Sequence, residues 1–412
     1  MAKAKTVKGV AVIGQSGGPT CVINQSLVGA VLEMKKHKEI TGIYGAVHGV
    51  KGMLAQDFVD LKNADVAMLK AVAATPSSGL GSVRKKVTAD ECRQIFENFR
   101  KHDVRYFFYI GGNDTAETAH ILNEMAKQEQ YELRAFHIPK TIDNDLRVTD
   151  HCPGFGSAAK FVAQAFMGDD LDNRSLPGIK INIVMGRHAG FLTAASALGR
   201  TNKDDGPHLV YLPERPFSMD QFIKDVDAVY KKLGRCIIAV SEGIADENGV
   251  AILQKFASSG EVDSHGNIQL SGTGALGDVL AAQVKKHLGE KYKGLRVRSD
   301  TFGYLQRCYP GVLSEVDAKE AFEAGVAAVK FATSGDVDGS VAIIREKGKT
   351  YKVKYERTEL KNVAKETTHV CDKFINKAGN DVTKAFVEYA LPLVGALPKV
   401  ALIKADKIKK KK

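Results

Sequence analysis

The chain has 412 residues, 44% hydrophobic and 26% charged, a balance that excludes a disordered chain and leaves ample material for a core. At roughly 150 residues per domain, it predicts two or three domains. No apolar run approaches the roughly 20 residues of a membrane span, six cysteines without a CxxC pair read as reduced thiols, and a net charge of +11 suits a site for small anions, so the expectation is a cytoplasmic protein with no membrane partner.

Short β-branched or aromatic runs alternate with stretches of helical period along the chain. Val10 to Ile13 is a strand, followed by a glycine turn and an amphipathic helix from Asn24 to Met34. Val104 to Ile110 is a second strand, ending at Gly111-Gly112 before a helical pattern from Ala116 to Ala126. Arg134 to Ile138, Ile179 to Val184 and Cys236 to Val240 repeat the device, each closing on a polar turn. This alternation predicts parallel α/β layers, whose ligands bind beyond the carboxyl ends of the strands. The region from Leu146 to Gly178 is the expected crossing between two halves. Further on, Ala318 to Thr333 predicts a helix, and Val341–Ile344 with Tyr351–Tyr355 a hairpin around Lys347-Gly348-Lys349. The tail Lys407 to Lys412 reads as a solvated end, and a nucleic-acid arm is the lesser reading.

The chemistry gathers in the turns. Gly14-Gln15-Ser16-Gly17-Gly18-Pro19-Thr20 lies between strand and helix, where converging backbone N–H groups and a helix N-terminus attract anions. It is neither a Walker loop nor GxGxxG, and a plain tight turn competes with the anion reading. Gly111-Gly112-Asn113-Asp114-Thr115 holds two glycines, an amide and a carboxylate at a strand end. A helix N-cap would account for one of these residues; phosphate binding with metal support accounts for the set. Pro139-Lys140-Thr141-Ile142-Asp143-Asn144-Asp145 carries a cation, a hydroxyl and two carboxylates. Those are the parts of phosphoryl transfer, with Asp143 as base, Lys140 as phosphate clamp and Asp145 as metal ligand or orienter. Met185-Gly186-Arg187-His188 offers an arginine suited to bidentate phosphate binding, with His188 read as a helix-start residue. Ser241-Glu242-Gly243 presents a carboxylate suited to sugar hydroxyls, with an N-cap role nearly as good an explanation. Arg298, with Gly303-Tyr304-Leu305-Gln306-Arg307 after it, suits a sugar phosphate.

In this order, the segments from Val10 to about Arg307 resemble the phosphofructokinase superfamily, and in detail its pyrophosphate-dependent branch. The glycine turn, GGNDT, PKTIDND, MGR, SEG and the tyrosine-to-arginine motif are together highly specific. The resemblance implies two Rossmann-like parallel-sheet α/β domains with the active site in the crevice between them. Residues 1–150 would bind pyrophosphate and 151–310 fructose 6-phosphate, while 311–412 would pack back on the core, with 407–412 as a basic tail. It also implies a Mg²⁺-dependent, reversible transfer of phosphoryl from pyrophosphate to fructose 6-phosphate, with Asp143 taking the proton of the 1-hydroxyl. Thr141 would touch the transferred phosphate, and Met185, Gly186, Arg187 and Glu242 would contact the sugar phosphate. Arg298, Tyr304 and Arg307 would grip the 6-phosphate, Arg298 from a neighbouring subunit, which implies a homodimer or homotetramer. Gly17, Gly18, Arg84, Gly112 and Thr115 fall on the donor side. Asn113 stands where many members carry a metal-side aspartate, and with Asp145 it completes the implied metal set.

Two positions bear on the donor. Members that use ATP carry glycine at the positions matching Asp114 and Lys140, and here both are charged. A carboxylate at Asp114 would repel the α-phosphate of ATP by roughly 4 kcal/mol for unit charges about 4 Å apart at an effective dielectric near 20, about a thousandfold in affinity. ATP dependence with Asp114 tolerated, sedoheptulose 7-phosphate as acceptor, and a non-catalytic sensor of the same fold stay open alternatives. The intact Asp143 argues against the last of these.

Overall fold

The computed structural model describes residues 7–256, 274–348, 350–364, 367–403, 405 and 408. Most of the lysine tail and Lys349 of the expected hairpin turn lie outside the described residues. Two sheets organise the chain. The first holds β1 (Gly9–Gln15), β2 (Ile40–Ala46), β3 (Phe58–Asp60), β4 (Val104–Gly111) and β5 (Arg134–Pro139). The second holds β6 (Ile179–Val184), β7 (Leu209–Tyr211), β8 (Cys236–Ser241) and β9 (Val297–Thr301). The chain then returns to the first sheet with β10 (Asp338–Arg345) and β11 (Val353–Thr358).

The first sheet runs β11-β10-β5-β4-β1-β2-β3 and the second β7-β8-β6-β9. The second sheet is parallel throughout, as are the inner pairs of the first, whereas β3 and β11 run antiparallel at its edges. The architecture is therefore the expected α/β pair of parallel sheets with two antiparallel edge strands added. Near-continuous apolar runs such as Tyr106-Phe107-Phe108-Tyr109-Ile110 suit strands covered on both faces, and all five are buried. Separate apolar clusters lie on the two faces of the first sheet, one around Phe108 and Phe136 and the other around Phe107 and Phe99.

The chain crosses between the sheets along a 21-residue helix, Phe155–Ser175, inside the segment expected to cross. The predicted helices at Asn24–Met34 and Ala318–Thr333 are Ile23–Met34 and Glu315–Ser334. These two pack so closely that a Cβ on Gly29 would stand 2.2 Å from the Phe322 carbonyl oxygen. The last hundred residues thus serve both halves: β10 pairs with β5, and the helix Lys384–Val394 packs with Phe155 and Phe191 in the core of the second half.

Candidate active site

The glycine turn after β1 is shaped for an anion. Gly17 has φ +76°, a left-handed conformation that glycine adopts without a Cβ penalty. Its N–H donates to the Val83 carbonyl at 3.0 Å, and the Ser82 hydroxyl donates to its carbonyl at 2.6 Å. These two bonds carry the segment Gly81 to Arg84 onto the turn. Space is also needed at Gly18, where a Cβ would meet the guanidinium of Arg307 at 3.3 Å and that of Arg84 at 3.5 Å.

Lys140 completes the cluster. It follows β5, is only 3% exposed, and its Nζ donates to the Gly18 carbonyl at 2.8 Å. Burial, with Arg307 beside it, pulls its pKa down to about 8. Three cationic side chains, Arg84, Lys140 and Arg307, therefore surround Gly17 and Gly18. Arg84 is exposed and Arg307 half-buried, but the buried charge of Lys140 is costly unless an anion accompanies it.

The two carboxylates face this cluster. Burial pushes the Asp143 carboxyl above the usual range, against the pull of Arg307, Lys140 and Arg84. Burial and the neighbouring Asp143 push Asp145 up to about 7, although it accepts a hydrogen bond from Thr141. The Thr141 hydroxyl also accepts the Asp143 N–H at 3.1 Å, which ties the loop from Lys140 to Asp145 into one unit.

Arg307 sits closer to the glycine turn than expected. It packs against Gly18, its guanidinium lies 4.5 Å from the centroid of the Tyr304 ring, and its charge also senses Asp143 and Glu242. It bridges the two strand-end surfaces. Tyr304 itself is half exposed. Met185, Gly186 and Arg187 leave the end of β6, and the Ser241 hydroxyl donates to the Gly186 carbonyl at 2.5 Å, joining this turn to the one after β8. Glu242 is buried at that turn. The next helix begins only at Ile252, so Glu242 is not an N-cap.

A cavity of about 770 Å³ opens outward from Arg187, His188 and Gly243. Its wall includes Glu214, Arg215, Gln254 and His369, none of which the sequence reading singled out. Glu214 follows β7, a strand of three residues too short to read from its pattern. His369 comes from the segment beyond β11, and its Nδ1 lies 2.7 Å from the His188 carbonyl. His188 precedes a helix beginning at Phe191, as expected, but its ring also lines this cavity.

Arg298, Asn113 and Asp114 complete the expected set. Arg298 is exposed on β9 and lines a small cavity of about 150 Å³ with Asp169, Lys180 and Arg296, away from the Asp143 loop. Asn113 and Asp114 are not in a turn: the helix already begins at Asn113, with Gly112 as its N-cap residue and without a side-chain cap bond. Asp114 is exposed in the first helical turn, its N–H bonded to the Asn113 Oδ1 at 2.9 Å. Thr115 is buried against Gly111. Among the described residues, no group of three or more His, Cys, Asp or Glu side chains is arranged to hold a metal.

Two parallel sheets whose strand-end turns collect cations on one side and open into a polar cavity on the other define a protein that handles small phosphorylated ligands. The phosphofructokinase family profile matches residues 10–332. The pyrophosphate–fructose 6-phosphate 1-phosphotransferase of Rhodospirillum rubrum is 55% identical over 388 residues, 94% of this chain and 95% of that one. A pyrophosphate-dependent phosphofructokinase from Nitrosospira multiformis superposes with a TM-score of 0.84 at 33% identity, covering 94% of this chain and 92% of its own. A second, from Marinobacter aquaeolei, gives 0.83 at 31% identity, with 98% of each chain covered. The chain belongs to the phosphofructokinase family.

Proposed function

We propose that this chain transfers a phosphoryl group reversibly from pyrophosphate to the 1-hydroxyl of fructose 6-phosphate. The observation that carries this reading is the buried Lys140, bonded to the glycine turn between Arg84 and Arg307 and facing Asp143. The Rhodospirillum rubrum relative, a pyrophosphate–fructose 6-phosphate 1-phosphotransferase at 55% identity, supports the same donor and acceptor. Pyrophosphate lies against Gly17 and Gly18, its charge met by Arg84, Lys140 and Arg307. Fructose 6-phosphate lies against the turns after β6 and β8, held by Met185, Gly186, Arg187 and Glu242, with Tyr304 as a further contact and Arg187 reaching into the cavity.

Asp143 takes the proton of the 1-hydroxyl as the oxygen attacks phosphorus, and its burial-raised pKa makes it the stronger base. The new O–P bond forms as the bridging P–O bond breaks in line, and the departing phosphate takes its charge to Lys140. Burial raises the proton affinity of both carboxylates, and the charge of Asp143 raises that of Asp145 further; a divalent cation would relieve that conflict. Mg²⁺ binds through one or two carboxylates and substrate phosphates, so Asp145, with the Asn113 amide oxygen as a further donor, would hold it. When bound, it neutralises charge on the transferring phosphoryl group. Arg298, exposed on β9, would serve the site of a neighbouring subunit in a homodimer or homotetramer. The six cysteines are all free thiols, as in a reducing cytoplasm.

The test offers fructose 6-phosphate and Mg²⁺ with pyrophosphate in one reaction and ATP in the other. Fructose 1,6-bisphosphate with pyrophosphate alone is the expected result. Product with ATP alone would overturn the donor reading while leaving Asp143 in place.

A further inference from the structure

We infer that Tyr389, on the C-terminal helix Lys384–Val394, is a positioning residue for the Asp143 and Asp145 carboxylates and acts through Asn144. The inference rests on the proposed reading that these carboxylates serve the transfer.

Asn144 stands between the two aspartates in sequence and is 3% exposed. Its backbone has φ +59°, a left-handed conformation that turns the chain sharply and that asparagine tolerates better than most residues. This turn sends neighbouring side chains in directions a helix or strand would not. Something must hold it, because the loop from Lys140 to Asp150 has no ladder of its own beyond isolated bridges at Thr141 and Leu146.

The holding groups come from the far end of the chain. The Asn144 Nδ2 donates to the Tyr389 hydroxyl at 2.8 Å, and the Asn144 Oδ1 accepts the Cys152 N–H at 2.9 Å. The Tyr389 hydroxyl in turn donates to the Asp150 carbonyl at 2.8 Å. One phenol oxygen thus ties both ends of the loop at once. Arg345 of β10 fixes the phenol from outside: its Nη1 donates to the Tyr389 carbonyl at 3.0 Å, and its guanidinium lies 4.8 Å from the ring centroid. The ring is stacked on Phe374 at 5.2 Å. A rigid ring with a single donor and acceptor at its tip is a suitable brace, because few rotamers are lost in holding it.

Tyr389→Phe keeps the ring and its stacking but removes the hydroxyl. The expected result in the full-length protein is a fall in kcat of about tenfold or more, with both substrate KM values within twofold. Hydrogen exchange in the peptide spanning Lys140 to Asp150 should quicken while the rest of the first sheet is unchanged. Tyr355→Phe is the control, since it removes a comparable hydroxyl bond, to Glu323 at 2.9 Å, with no link to Asn144. It should leave kcat and the Lys140 to Asp150 exchange unaltered. If Tyr389→Phe does not fold, Asn144→Gly, which accepts the same backbone turn, carries the test. A kcat within twofold of wild type, unchanged exchange in the loop, or an equal loss in Tyr355→Phe overturns the inference. A wild type inactive with both pyrophosphate and ATP defeats the functional reading, whereas the exchange measurement still decides whether Tyr389 braces the loop.

Discussion

The two strand-end surfaces that meet at Arg307 are built on different plans. On the first sheet, Arg84, Lys140 and Arg307 are drawn tightly onto Gly17 and Gly18, and the Lys140 pKa is displaced by its own surroundings to about 8. On the second, Arg187, His188, Glu214 and Arg215 are spread around a cavity of about 770 Å³. On the proposed reading, the donor side stores charge before a ligand arrives, and the acceptor side stores space. Concentrated positive charge recognises a small anion through electrostatics, while a wide polar cavity selects a sugar through shape and a few directed bonds.

The largest effect is expected where the two plans meet. Asp143→Ala should lower kcat by about 10²- to 10⁴-fold, the usual worth of a general base, with little change in fructose 6-phosphate binding. Near-normal turnover would break the assignment. Lys140→Met should lower kcat/KM for pyrophosphate by about 10²- to 10³-fold, the cost of losing one preorganised group that meets developing charge, while fructose 6-phosphate affinity is kept. Equal losses for both substrates would erase the contrast between charge and space.

The same lysine gives a pH signature. Its protonated form attracts pyrophosphate, and free Lys140 titrates at about 8. Above that pH, kcat/KM for pyrophosphate should fall by about tenfold per unit. The kcat itself should hold to higher pH, because bound anion keeps the lysine charged. Lys140→Arg should flatten the limb; an unchanged limb would assign it to another group. Asp114→Gly combined with Lys140→Gly should weaken pyrophosphate use and admit ATP, read as ATP-dependent product. Continued exclusion of ATP would move the gate to another side chain.

The smallest effect is on stability. His151 is buried between Asp150 at 2.8 Å and Glu320 at 2.6 Å. Burial alone would lower its pKa, but the hydrogen bonds and charges of Asp150 and Glu320 win and raise it. A raised folded pKa stabilises fully below the unfolded value near 6.5 and is lost as pH rises through the folded value. The Tm of the wild type should therefore drop between pH 6 and pH 9, and the drop should be smaller in His151→Gln.

The sequence exposes the donor plan better than the acceptor plan, for a physical reason. β1, β4, β5, β6 and β8 are apolar runs that end at glycine or polar turns, so Gly17, Lys140, Asp143, Arg187 and Glu242 stand out at strand ends. Cavity walls leave no such mark. Glu214 follows a strand of three residues, and His369 reaches His188 across 181 positions of sequence. The hairpin β10–β11 is legible from two short runs flanking Lys347-Gly348-Lys349, yet its pairing with β5 is not, because parallel register across two hundred residues is set by tertiary contact rather than by local sequence. Motif order marks Arg298 and Asp114 but not their elements: the fold sets one on the edge strand β9 and the other in a helix's first turn.

The return of β10 to β5 also sets the timing of synthesis. β5 ends at Pro139 and its outer neighbour begins at Asp338. At roughly 5–20 residues per second, the outer edge of β5 stays unpaired for about 10–40 s, and for the last about 1.5–6 s of that interval the nascent chain already carries every residue from Gly17 to Arg307. An open parallel edge is a template for another chain. The translating ribosome therefore displays a complete set of chemical groups on an incomplete sheet, and the period of greatest exposure to misassembly falls late in translation.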